Sequence, residues 1–298
     1  VTPEQDERLL LQLPERPADS EPLVNPLFRP IWTANKARLI EEYLRLFVYI
    51  TRHGTYIDGF AGPQRPHLTD MWAAKRVLET QRRPRRIQHY HLFELHSERF
   101  KQLEKLKAEQ PTDLERTIDL YEGDFNTRFR EILRPGVIKD SEATFCLLDQ
   151  RTFECHWSTV KALAEHKSGR KIEIFYFLAM KWLARSLKGI TRNTSVLENW
   201  WGRSDWDQLR EMSSLRCAEE IVKRFKEELG YASVKKWPIF RTKSPGNVMY
   251  FMIHATDHDQ APILMRRAYE KAVTPVHTEQ LSFLSNFDDY LLTGGPRL

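Results

Sequence analysis

The chain has 298 residues and a mass of 35.4 kDa. Hydrophobic residues make up 41% and charged residues 29%, a balance that excludes wholesale disorder and allows a large core in one or two domains. Its 46 basic and 41 acidic residues leave a net charge of +5 and a pI near 9.0, which suits a nucleic-acid partner without demanding one.

No apolar run approaches the roughly 20 residues of a membrane-spanning helix, so no membrane partner is expected. The opening VTPEQDERLLLQLPERPADS is acidic, punctuated by proline and without an apolar signal core. Cys146, Cys155 and Cys217 are too few for a disulfide framework, and their spacing fits neither a zinc site nor an iron–sulfur triad. A reducing, cytoplasmic setting follows, with no metal.

In chain order, residues 1–31 carry six prolines and no sustained periodicity, and read as an irregular arm. From Lys36, apolar residues recur at helical spacing (Leu39, Ile40, Tyr43, Leu44, Phe47, Val48), predicting an amphipathic helix to about Arg52, stopped at His53-Gly54. Short strands then alternate with helices. Strands are expected at 55–57, 87–93, 117–121, 143–148 and 171–178, and helices at 71–80, 97–110, 126–133 and 158–166. Strands separated by helices imply a parallel sheet covered on both faces. Residues 188–230 read as a helical insertion rich in tryptophan (Trp200, Trp201, Trp206). Two strands without an intervening helix, 233–241 and 247–255, are joined by TKSPG and predict an antiparallel hairpin. A helix at 261–272 and a tail at 276–298 close the chain, so that the α/β domain spans 32–275.

In such a sheet, ligands bind beyond the carboxyl ends of the strands, near the point where strand order reverses. The first strand runs into YIDGFAGPQ, with Asp58 at the tip and Gly59 and Gly62 allowing close backbone approach around Phe60 and Ala61. The second ends at Glu94, an acid suited to the two hydroxyls of a ribose. The third ends in EGDFN, placing Asp124 and Phe125 to meet the edge and face of an adenine. The fourth ends in LLDQRTFE, placing Asp149 and Gln150 beside the same cleft. Each carboxylate alone reads equally well as a helix cap. Four successive acidic tips are harder to explain as caps, since a cap need not be acidic.

Other residues are explained without chemistry. His254, Asp257 and His258 in HATDH read as ordinary loop residues rather than metal ligands. His89 and His91 share one strand face. Cys155 reads as a packed thiol, the three tryptophans as core, and QRRPRR at 81–86 as a solvated turn.

The order of the tip residues resembles that of class I S-adenosylmethionine (SAM)-dependent methyltransferases. Asp58 to Gly62 is similar to the DxFAG turn of nucleic-acid methyltransferases, Glu94 to their ribose acid and Asp124 to their adenine contact. Asp149 falls where they carry a catalytic Asp-Pro-Pro tetrad, and the closing hairpin matches their antiparallel sixth and seventh strands. A closer resemblance, from about Trp32 onward, is to the three-Cys-motif partner protein (TcmP) family. It is carried by WTANK, YIDGFAGP, HLFEL, GDFN, LLDQRTFECHWSTVKALA and KIEIFYFL, the last followed by a Trp and an Arg. That family's name refers to cysteines of a neighbouring radical-SAM-like protein, not to those of this chain.

The resemblance implies a Rossmann-like α/β class I methyltransferase fold with a seven-stranded mixed sheet. It implies SAM at Asp58, Gly59, Phe60, Ala61, Gly62, Glu94, Asp124 and Phe125, and Asp149 and Gln150 as the catalytic pair. Lys36 and Arg185 become rim cations. It also implies a nucleic-acid or nucleotide-like acceptor, or a radical-SAM-like partner protein bound by a non-catalytic module. Two departures stand out. Gln64 replaces a usual Gly and narrows the pocket. Asp149-Gln150-Arg151-Thr152 replaces Asp-Pro-Phe-Gly, losing the proline that shapes a tip for amino-group methylation. A nicotinamide-dependent oxidoreductase ranks last, because its fingerprint needs a third Gly and no terminal hairpin.

Overall fold

The computed structural model describes residues 33–64, 71–80, 86–112, 115–190, 194–240 and 248–273. The helix that opens this range, α1 (Thr33–Thr51), leads into β1 (His53–Asp58). Then follow α2 (Ala73–Thr80), β2 (Arg86–Glu94), α3 (Ser97–Ala108), β3 (Thr117–Glu122) and the single turn α4 (Phe125–Arg128). The chain continues through β4 (Thr144–Leu148), α5 (Trp157–Glu165), β5 (Glu173–Ala179), α6 (Met180–Gly189), α7 (Ser195–Trp201) and α8 (Ser214–Glu227). It closes with β6 (Ser233–Phe240), β7 (Val248–Thr256) and α9 (Ala261–Val273).

The seven strands form one sheet in the order β3-β2-β1-β4-β5-β7-β6. β1 to β5 pair in parallel, while β7 runs antiparallel to both β5 and β6. This is the Rossmann-like class I methyltransferase fold, and the antiparallel β6–β7 pair expected from the sequence is present. Strand order reverses at β1, which pairs with β2 on one side and β4 on the other.

Alternation along each strand divides the core into two layers. In β5, Phe175 and Phe177 face α1, α2, α3 and α9, whereas Ile174, Tyr176 and Leu178 face α5 to α8. β5 is buried along its whole length, which is why it reads as a continuous apolar run rather than an alternating one.

The described part of 188–230 is helical, as expected, and broken into several pieces. It comprises the end of α6, α7, a 3-10 stretch at Ser204–Glu211 and α8. α7 stops at Gly202, which adopts a left-handed φ of 72° and packs against Trp157, whose ring leaves no room for a Cβ. Trp200, Trp201 and Trp206 are all buried in the layer formed with α5, as the core reading expects. Arg224 of α8 ties this layer together. Its guanidinium lies 3.9 Å from the Trp157 ring centroid and 4.3 Å from that of Trp201, and it donates to both carboxylate oxygens of Glu228 at 2.5 and 2.9 Å. The insertion therefore covers a sheet face and reaches the carboxyl edge through Trp200, which meets Phe153 edge-on.

Arm 1–31, tail 276–298, the basic turn 81–85 and the hairpin link 241–247 lie outside the described residues.

Candidate functional site at the strand tips

Register sets the heights of the tip residues. Asp58 pairs with Leu92 on β2 and with Leu147 on β4, so Glu94 and Asp149 each lie two residues beyond its level. Glu94 pairs with Glu122, so Asp124 lies two residues further again. At about 3.3 Å per residue, the tips climb from β1 toward β3 and β4 and leave the β1 turn as the floor. All four expected acids thus stand on one edge of the sheet, around the reversal point.

The floor is built by Asp58, whose carboxyl is turned inward and only 1% exposed. It accepts from the Tyr56 hydroxyl at 2.9 Å and from the Phe60 N–H at 3.0 Å, which shapes the DGFAG turn. Burial raises its pKa from 3.8 to about 7, against the lowering effect of those two hydrogen bonds; the nearby charges of Asp149 and Glu94 add to the rise. Its role in this structure is to hold the turn.

Gly59 lies against the Phe125 ring and Leu148, and a Cβ there would come within 3.0 Å of the ring. Ala61 continues the β2 ladder through an N–H to the Phe93 carbonyl at 2.8 Å, and its own carbonyl accepts from Trp72 Nε1 at 2.6 Å. At Gly62 a Cβ would collide with the Glu94 carboxylate and come within 2.8 Å of the Arg99 Cβ.

That close approach lets the Gly62 N–H donate to Glu94 Oε2 at 3.0 Å, while the His96 N–H donates to Oε1 at 2.8 Å. Two backbone donors fix the carboxylate and leave lone pairs for two further donors, the number a vicinal diol supplies. Directly after it, Leu95 is 59% exposed, a large apolar side chain at a polar edge. The sequence reading missed it. Its signal was a leucine placed immediately after a strand-tip acid.

Asp124 caps α4: its Oδ1 accepts from the backbone and side-chain nitrogens of Asn126 at 3.1 and 3.0 Å. Asn126, also missed, joins two tips. Its amide donates to the Glu154 carbonyl at 2.7 Å and accepts from the His156 N–H at 2.8 Å and the Thr159 hydroxyl at 3.0 Å. Phe125 is buried against Phe93 at 4.9 Å between centroids, with the half-exposed Phe60 at 6.0 Å.

Asp149 and Gln150 point to opposite sides of the sheet. Neither Arg151 nor the N-terminus of α5 binds Asp149. Its two oxygens contact Lys36 Nζ at 2.7 and 2.6 Å, so Lys36 belongs to the site and not to its rim. Gln150 Oε1 accepts from the Cys155 N–H at 3.0 Å, which turns Nε2 toward the Tyr176 hydroxyl and Trp200 Nε1. None of these three atoms closes a normal hydrogen bond among the described residues. The Cys155 thiol is fully buried, and burial pushes its pKa well up, so it is packed and not nucleophilic. Arg185 is exposed on α6.

Asp257 and His258 lie in the loop expected after the last strand, and His254 lies within the strand expected at 247–255. His254 is a buried residue of β7, 2.9 Å from Glu173 Oε1, in a cluster with Tyr43 and Thr256. β7 ends at Thr256, one residue past the end expected. The cluster borders a cavity of about 420 Å³ at the opposite, amino edge of the parallel strands, away from the tips. Among the described residues, no group of His, Cys, Asp or Glu is arranged to hold a metal ion, and no helix is long and apolar enough to cross a membrane.

No protein-family model and no curated protein matches the chain. Among solved structures, the CurJ carbon methyltransferase aligns over 70% of this chain at 14% identity, with a TM-score of 0.42. The alignment covers 50% of that protein, so the chain spans about half its length. The likeness is too partial to carry a reading of function, which rests on the tips.

Proposed function

We propose that this chain is a SAM-dependent methyltransferase-like protein of the three-Cys-motif partner kind, binding SAM across the tips of β1 to β4. The observation that carries the reading is the convergence of Asp58, Glu94, Asp124 and Asp149 on one edge, at the reversal point of a β3-β2-β1-β4-β5-β7-β6 sheet. Glu94 takes the ribose hydroxyls with its remaining lone pairs, Leu95 and Phe60, the latter backed by the buried Phe125, offer apolar surface to the adenine, and the Gly59–Gly62 backbone lies beneath the methionine moiety. Asp149 orients or deprotonates the acceptor, whereas Gln150, expected to share that work, is buried on the other side of the sheet and braces the β4 tip through the Cys155 N–H. Geometry of this kind supplies much of the rate in a transfer that needs an in-line approach. On the resemblance of the DGFAG turn, the acceptor is a nucleic acid or nucleotide-like molecule. A reducing, cytoplasmic setting fits three free cysteines that are all buried. The working unit is one domain over 32–275, with the arm and tail as appendages.

One observation favours a second reading, a non-catalytic module that assembles with a radical-SAM-like partner. Both oxygens of Asp149 are engaged by Lys36, so the proposed base is occupied in the free chain. Calorimetry with SAM, S-adenosylhomocysteine and NAD, beside mass spectrometry of any ligand released from the purified protein, separates the readings. SAM or S-adenosylhomocysteine should bind and NAD should not. Binding of neither adenosyl compound would sink the cofactor assignment.

A further inference from the structure

Lys36 stands where its own helix gives no reason for a lysine. It lies in the first turn of α1, where the helix dipole disfavours a cation, and no acidic residue accompanies it in that turn. It is only 4% exposed, and a buried ammonium is costly unless it is paired. A three-sided box holds it. Asp149 supplies two oxygens at 2.6 and 2.7 Å, and the rings of Phe177 and Tyr250 lie 5.0 and 5.1 Å from Nζ. These walls come from the β4 tip, β5 and β7, so the box exists only in the assembled sheet. It sits at the carboxyl edge that carries Glu94 and Asp58, and Asp149 is close enough to Asp58 to raise its pKa.

A carboxylate flanked by two aromatic faces is the recognition chemistry of an alkylammonium group, and it holds a methylated ammonium as well as an unmethylated one. A neutral planar base would leave the charge of Asp149 without a counter-ion in this buried setting. We propose that the Asp149–Phe177–Tyr250 box is the acceptor subsite, that Lys36 fills it in the free chain, and that the acceptor is an alkylamine whose ammonium takes the place of Lys36. The inference rests on the methyltransferase reading and replaces its nucleic-acid acceptor. In the step it implies, the bound ammonium gives a proton to Asp149. The amine lone pair then forms the N–C bond as the C–S bond of the methyl sulfonium donor breaks, leaving a thioether and a methylated ammonium.

The first test is calorimetry without cofactor, using n-butylammonium chloride against a sodium chloride control of equal ionic strength. Lys36→Ala should bind butylammonium at least tenfold more tightly than either the parent chain or Lys36→Ala/Asp149→Asn. Equal affinity in all three, or no binding by a Lys36→Ala chain that retains its circular dichroism, overturns the proposal. The second test needs no variant. The parent chain is given SAM with a labelled methyl group and offered butylamine, spermidine, a lysine-containing peptide and a DNA oligonucleotide. Label on an amine supports the proposal and tells a free amine from a protein side chain. Label on the oligonucleotide alone, or on nothing while SAM binds, overturns it. Failure of SAM to bind removes the underlying methyltransferase reading but leaves the cofactor-free comparison to decide the box.

Discussion

Replacing Asp58 by Asn tests whether the floor of the site carries a proton at neutral pH. The carboxyl is fully buried, and its pKa is raised from 3.8 to about 7, chiefly by burial. A raised pKa means that the folded chain holds this proton more tightly than the unfolded chain does. The associated stability is complete below pH 3.8 and is lost as the pH climbs to about 7. At roughly 1.36 kcal/mol per unit, the full loss is about 4 kcal/mol, of which about 2.5 kcal/mol falls between pH 5 and pH 8. Asn keeps an oxygen for the Phe60 N–H, presents its amide to the Tyr56 hydroxyl as a donor, and never ionises. Urea melts of both proteins at constant ionic strength should therefore show Asp58→Asn gaining about 2.5 kcal/mol on the parent between pH 5 and pH 8. Most of that gain should come below pH 7. A difference that stays flat with pH, or that shrinks as pH rises, would show that the folded chain does not hold this proton more tightly than the unfolded one and would refute the reasoning.

Further substitutions probe one ion pair of the site and the tryptophan layer behind it. Lys36→Met and Asp149→Asn should each cost about 3 kcal/mol by leaving a buried charge without its partner, and the double variant should cost well under the sum. Additivity to within about 0.5 kcal/mol in urea melts would mean that the pair is not coupled. Arg224→Met should cost about 3 kcal/mol and alter the near-ultraviolet circular dichroism of Trp157 and Trp201, and Arg224→Lys should not restore it, since an ammonium cannot stack between two indoles while bridging Glu228. Parent-like melting of the lysine variant would refute that role.

The parallel strands, the antiparallel hairpin and the acidic tips were legible because each is a local signal. Alternating patterns, a short link and an acid after an apolar run all lie within a few residues of one another. What the tip residues contact was not legible. Asp149 finds its partner in Lys36, 113 residues away, and the choice among Lys36, Arg151 and a helix N-terminus is made only when α1 docks. The inward turn of Asp58 had a faint signal in Tyr56, two positions earlier on the same strand face. Of the two readings weighed for Asp124, the structure shows the helix cap. His254 fell inside the strand expected at 247–255, but its buried partner Glu173 lies 81 residues away on β5 and left no local signal. Gly62 was read as a residue that lets the backbone turn and come close to a ligand. Its closeness to Glu94 appears only once the β1 turn lies across the end of β2.

The most direct test of the central claim is titration of the parent chain and Glu94→Ala with S-adenosylhomocysteine in a calorimeter. Two backbone N–H groups hold the Glu94 carboxylate facing the proposed ribose, so its loss should weaken binding by about 1.5–3 kcal/mol, the scale of hydrogen bonds to a charged group. Tight binding by the parent and a loss of that size in a folded Glu94→Ala chain are the predicted result. Equal affinity in the two proteins, or no binding by the parent, would contradict the account.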